Sequence, residues 1–193
     1  MAEALYQYQE EDLRFLSEWG RSANFSEPGV GKTPVAVRLV QELDGLPCII
    51  VVPNIARYHW EEAIKRFWVG TPPRVVQYQG DRQRRQSIRM DDFDILIVGY
   101  ELFRKDFKEY FAAQRYKMAV FDEAHRLKNP KAQVSKCAYK LKAEYKHVVT
   151  GTPIVNSFAD VFSYLHLLFP DQFKSYWRFI HEYGIVVHNG FGM

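Results

Sequence analysis

The stretch SEPGVGKTP, Ser26–Pro34, decides how this chain is read. Its second half, Gly31-Lys32-Thr33, fits the phosphate-loop pattern G-x-x-x-x-G-K-[ST]. In that pattern a glycine-rich turn between strand and helix aims backbone N–H groups at an anion, and the helix N-terminus adds its dipole. The first half departs from it: Ser26 holds the place of the leading glycine, and Pro28 brings no N–H to a loop that works by presenting them. The flanks supply the remaining parts. RSANFS can end a strand, Gly29 and Gly31 tolerate positive φ, and KTPVAVRLVQEL follows with helical spacing. Pro34 falls in the first helical turn, where its missing N–H has no intrahelical partner to lose. On this template Lys32 reaches the β and γ phosphates and the Thr33 hydroxyl meets Mg2+. The expected nucleotide-binding run is Glu27, Pro28, Gly29, Val30, Gly31, Lys32 and Thr33. The bland alternative is a glycine turn with a helix-capping threonine.

A second signal lies some ninety residues on. KMAVFDE is an apolar strand that ends on Asp122 and Glu123, at the carboxyl edge where open α/β sheets bind ligands. Asp122 suits Mg2+ and Glu123 suits the orientation of an attacking water, so Lys32, Asp122 and Glu123 form the expected catalytic set. Read alone, the two acids could equally cap a strand-to-helix turn. Further apolar runs, CIIVVP, RVVQY, FDILIVGY and HVVTGT, look like strands covered on both faces. Segments with helical spacing separate them, such as IARYHWEEAIKRFW with Ile55, Trp60, Ile64 and Phe67. The alternation predicts an α/β fold with a mostly parallel sheet and helices on both sides.

Composition limits the function without naming it. The 193 residues are 47% hydrophobic, enough for one sizeable core. A formal charge of +3 permits an anionic partner without demanding one. Two distant cysteines give no disulfide framework or C-x-x-C site, and the histidines show no metal-ligand spacing. No apolar run is long enough to span a bilayer, and the polar, acidic N-terminus is not a secretory signal. The expected location is cytoplasmic or nuclear, and no structural metal or membrane partner is expected.

In this order, GVGKT, DEAH and TGTP resemble the first RecA-like motor lobe of superfamily-two helicases and translocases. DEAHRLKN and VVTGTPIVNSFADVFSYLHLLFP resemble the Swi/Snf chromatin-remodeller branch, and the short spacings suggest its bacterial or phage members. The resemblance runs from Tyr8 to about Phe179. It implies a RecA-like three-layer sandwich over residues 1–170, with residues 171–193 a helical extension or the start of a connection to a second lobe. In this branch the place of Ser26 is commonly not glycine, and the cradle is built from Gly29 to Thr33. Pro28 remains a departure.

Further roles follow from the resemblance alone. Gln9 would recognise adenine, with Tyr6 or Tyr8 near the base, while Tyr6, Leu13 and Leu16 also read as one face of a core helix. Pro53, Asn54 and Trp60 would track a nucleic-acid backbone, joined by Tyr100, Lys128, Asn129 and Asn156. Gly99 stands where the family usually has a hydroxyl before tyrosine. His125 with Thr150, Gly151 and Thr152 would couple hydrolysis to those contacts, although His125 could simply make a structural hydrogen bond. The implied ligands are ATP and Mg2+. The implied partners are double-stranded DNA and a second RecA-like lobe that donates arginines to the transferring phosphate. The competing expectation is a catalytically weak nucleic-acid or protein-binding module on the same fold. Outside these motifs, Arg82, Arg85 and Arg89 could line one helix face as a phosphate-binding stripe or form a solvated face.

Overall fold

The computed structural model describes residues 2–155 and 157–184. Six strands form one sheet: β1 (Arg21–Asn24), β2 (Cys48–Val52), β3 (Val75–Tyr78), β4 (Ile95–Gly99), β5 (Arg115–Asp122) and β6 (Lys142–Val149). Their spatial order is β1-β6-β5-β2-β4-β3, and every pairing is parallel. All strands therefore end at one edge of the sheet, and the loops that follow them gather there.

Strands β2 and β4 can sit inside the sheet because both of their faces are apolar. In β2 every residue is buried. Ile49 and Val51 face one layer, while Cys48, Ile50 and Val52 face the other. On the second face lie α1 (Gln7–Ser17), α2 (Lys32–Glu42) and α3 (Arg57–Phe67), which contribute Leu13, Leu16, Val35, Leu39, Trp60 and Ile64. On the first lie α5 (Tyr100–Lys105), α6 (Gln133–Lys140) and α7 (Asp160–Leu168), with a π turn at Phe107–Phe111. Phe111 anchors that layer, its ring 4.9 Å from Tyr78 and 5.3 Å from Phe103. Truncating such a ring to alanine costs about 3–5 kcal/mol.

The short α4 (Arg82–Ser87) fits neither reading of the three arginines, a phosphate-binding stripe or a solvated face. Arg85 turns inward, and its Nε donates to Asp106 Oδ2 at 2.7 Å. Arg82 pairs with Glu109 at 2.9 Å, and Arg89 lies beyond the helix. A six-residue helix is too short to carry an i, i+7 row, and Arg85 is needed to neutralise the buried Asp106. The final α8 (Tyr176–Tyr183) docks through Phe179, whose ring lies 5.3 Å from Phe158 and 5.6 Å from Phe162. No helix among the described residues is long and apolar enough to cross a membrane.

Candidate active site

Because β1, β6 and β5 are neighbours, their carboxyl ends bring three sequence-distant loops together. They surround a cavity of about 540 Å³ lined by Pro28, Gly29, Gly31, Lys32 and Thr33 from the first, Gly151 and Thr152 from the second, and Asp122, Glu123 and His125 from the third. That volume is within the range of small-molecule sites.

The first loop has the conformation its glycines allow. Gly29 and Gly31 sit at φ 87° and 81°, left-handed values that favour glycine. Gly31 caps α2, no side chain caps that helix, and its first turn carries no acid. Lys32 instead opens the helix, the wrong sign of charge for a helix N-terminus unless an anion joins it. Its Nζ donates to the Ser26 and Glu27 carbonyls at 2.9 and 2.8 Å, holding the loop around itself. Pro28, the departure in the pattern, packs on Gly151. A Cβ added at Gly151 would lie 2.9 Å from Pro28 Cγ and 3.0 Å from Cδ. Proline trades a backbone donor for a rigid contact between two site loops.

Gln9, expected at the base, is engaged here by the phosphate loop. Buried under the loop, it accepts from the Tyr6 N–H at 2.9 Å and donates from Nε2 to the Val30 carbonyl at 3.1 Å. Its amide is engaged in holding the phosphate loop, and the Tyr8 hydroxyl donates to the same carbonyl at 3.1 Å. The Tyr6 and Tyr8 rings stack at 5.8 Å with 8° between their planes, exposed beside the loop.

The acid pair is anchored asymmetrically. Asp122 Oδ2 accepts from the Trp60 indole N–H at 2.7 Å, Oδ1 from the Glu123 N–H at 2.9 Å, and its carbonyl from the Tyr100 hydroxyl at 2.7 Å. Burial raises its pKa above the ordinary carboxylate value, an effect the Trp60 and Glu123 donors oppose. Glu123 adopts φ 48°, ψ 48° and leads into a 3₁₀ turn at Ala124–Leu127. A left-handed non-glycine residue costs about 1–3 kcal/mol, and such strain collects at functional sites. Nothing in the sequence announced it. His125 Nδ1 lies 3.1 Å from Glu123 Oε2, close in distance but not aligned as a hydrogen bond.

The remaining expected residues divide. Thr150 is buried, donating its N–H to the Asn24 carbonyl at 3.1 Å while its hydroxyl accepts from the Thr152 N–H at 3.2 Å. It shapes the loop whose Gly151 and Thr152 meet the cavity. Trp60 and Tyr100 do not fit direct nucleic-acid contact: they are 1% and 4% exposed, and both donors point at Asp122. Pro53 is buried too, whereas Asn54 is exposed. A Cβ on Gly99 would collide with Asn54 Oδ1, so the residue that replaces the usual hydroxyl makes room for this amide. Lys128 and Asn129 line a groove of about 910 Å³ with Lys131, Lys136, Lys174 and the exposed Trp177. Asn156 lies outside the described residues.

Comparison with known proteins gives this geometry a family. A family model described as the SNF2-related domain matches residues 8–189. Among the relatives, the ATP-dependent DNA helicase DDM1 of Arabidopsis thaliana is 30% identical over 91% of this chain and 25% of its own length. Chromodomain-helicase-DNA-binding protein 1 of Homo sapiens is 32% identical over 93% of this chain and 12% of its own length. A solved structure, the Sulfolobus solfataricus SWI2/SNF2 ATPase core in complex with dsDNA, superposes with a TM-score of 0.83 at 25% identity, covering 95% of this chain and 40% of that one. The chain thus spans a quarter or less of the two relatives' length. Its all-parallel sheet, the loops gathered at one edge and the match over nearly all its residues agree: the chain belongs to the SNF2-related family, as an N-terminal RecA-like lobe.

Proposed function

We propose that this chain is the ATP-binding lobe of a DNA-dependent ATPase that moves along double-stranded DNA. The observation that carries the reading is the convergence of Lys32, Thr33, Asp122 and Glu123 on one cavity. An uncapped helix N-terminus, a lysine at its first position and two positive-φ glycines suit a polyphosphate. A single half-buried carboxylate and a threonine hydroxyl suit Mg2+, which takes few protein ligands and shares phosphate oxygens. When bound, the ion would neutralise charge developing on the phosphates. Asp122 and Thr33 would hold it, Lys32 would leave the Ser26 and Glu27 carbonyls for phosphate oxygens, and exposed Glu123 would orient water. The stacked Tyr6 and Tyr8 offer a face to the base beside Gln9.

For DNA, the loops after β2 and β4 lie beside the cavity in the sheet order, and Asn54, Ile55 and Tyr58 are exposed at the start of α3. N–H groups at a helix start hold phosphate backbones without reading sequence. The lysine-lined groove at Lys128 and Asn129 adds charge of the right sign. Residues 171–193 act in this reading as an extension toward a second lobe. Arginines from that lobe would complete the site, so the chain alone binds ATP and hydrolyses it slowly.

Hydrolysis by Glu123→Gln tests the assignment. The variant keeps ATP binding and loses at least about a hundredfold of the residual rate, the usual worth of a positioned general base. A variant as active as wild type would remove Glu123 from the chemistry.

A further inference from the structure

Two aromatic side chains converge on one acid from two different helices. Trp60 comes from α3, which follows β2 through a 3₁₀ turn at Asn54–Ala56. Tyr100 opens α5, which follows β4. The indole N–H meets Asp122 Oδ2 and the phenol O–H meets the Asp122 carbonyl, each at 2.7 Å. Both side chains are almost fully buried, so neither donor has water as an alternative partner. The two loops also interlock with each other, since Asn54 Oδ1 occupies the space a Cβ on Gly99 would take.

We infer that Trp60 and Tyr100 are positioning residues that make the DNA-facing loops after β2 and β4 set the placement of Asp122, and through it the affinity for Mg-ATP. The inference rests on the functional reading above. A phosphate backbone seated on Asn54 and the start of α3 biases the helix that carries Trp60. Because Asn54 sits over Gly99, the same event biases the strand end that carries Tyr100. Each shift moves a donor whose acceptor is the acid that holds the ion, while Glu123 is bonded to Asp122 through its own N–H. An indole N–H has one donor and no acceptor, so it cannot follow Asp122 by exchanging roles. Displacing it leaves a half-buried carboxylate oxygen without that partner, and this gives the two binding events a shared free energy. Coupling of this kind is reciprocal: DNA changes Mg-ATP affinity by the factor by which Mg-ATP changes DNA affinity.

The test measures the affinity of this chain for a fluorescent ATP analogue in Mg2+, with and without a saturating short duplex DNA. Wild type, Trp60→Phe and Tyr100→Phe are compared, and thermal unfolding reports whether each is folded. The wild-type affinity should change about fivefold or more on adding DNA, at the lower end of ordinary coupling between sites. In either variant the change should fall below about twofold while the duplex still binds. A loss of fold alone would lower both affinities and leave their ratio unchanged. If Trp60→Phe does not fold, Tyr100→Phe, which loses one oxygen and keeps the ring, carries the test. Variants that fold, bind both ligands and couple like wild type would overturn the inference and leave the motor-lobe reading standing. The same holds if wild type binds both without coupling. Failure of wild type to bind the duplex would instead count against the functional reading itself.

Discussion

Pro28 and Gly151 form a contact that neither residue explains alone. The proline ring fills the space above Gly151, and a methyl group there would meet Cγ at 2.9 Å. Gly151→Ala should therefore push the phosphate loop outward and weaken ATP binding about tenfold, a perturbation of 1–2 kcal/mol typical of overpacking. Pro28→Ala in the same chain should recover most of it by removing the ring. Titration calorimetry on the two single variants and the double checks this, because residues in contact give non-additive effects. At this scale the sequence revealed identities better than directions. GVGKT and DE marked Lys32, Thr33, Asp122 and Glu123 because phosphate chemistry restricts residue type and spacing. The aim of Trp60, Tyr100 and Gln9 was hidden, since each acts on a neighbour brought close only by strand order.

Strands β1 and β6 show what burial does to a titratable group. His147 pairs with Ser22 across the ladder, its Nδ1 2.9 Å from the Ser22 hydroxyl, and Nε2 has no partner among the described residues. Burial lowers its pKa from 6.5 to about 4, against an opposing effect of the Ser22 backbone. Between those values the unfolded chain binds a proton that the folded chain excludes. Stability from this group therefore rises with pH across the window and is lost as pH falls toward 4. The shift corresponds to about 3 kcal/mol. Urea unfolding of wild type should weaken accordingly, and His147→Leu should show a flatter pH slope, with the comparison cancelling the carboxylates common to both. An equally steep slope in the variant would exclude His147 as the cause. Strands such as β2 and β4 were legible because a strand buried on both faces must be apolar throughout, as CIIVV is, whereas the polar first half of β6, KAEYK, gave no such run. The two readings of the arginine row could not be separated because periodicity does not report where a helix stops, and α4 ends at Ser87.

Across the whole molecule, one topological fact organises the rest. The order β1-β6-β5-β2-β4-β3 places the phosphate loop, the TGTP loop and the acid pair over one half of the sheet edge, with the loops proposed to follow DNA over the other. Alternating runs in the sequence predicted a parallel sheet, but periodicity carries no information about strand order. That order is why Asp122, on β5, lies beside β2 and can be reached from α3. The proposed second lobe belongs to this scale. Supplying a RecA-like second lobe with arginines, in cis or in trans, should raise ATP turnover by about 10³–10⁵, the usual contribution of an arginine finger. Steady-state phosphate release with and without that lobe reads the effect directly, and an unchanged rate would mean the site is already complete. The central claim is narrower and can be tested on this chain by itself: it is a working Mg-ATP site centred on Lys32. The most direct measurement is calorimetric titration of ATP with Mg2+ into wild type and Lys32→Ala. The account predicts one saturable site in wild type and affinity at least about tenfold weaker in the variant, the loss of one charge-assisted phosphate contact. No heat of binding in wild type, or equal affinity in the two proteins, would contradict it.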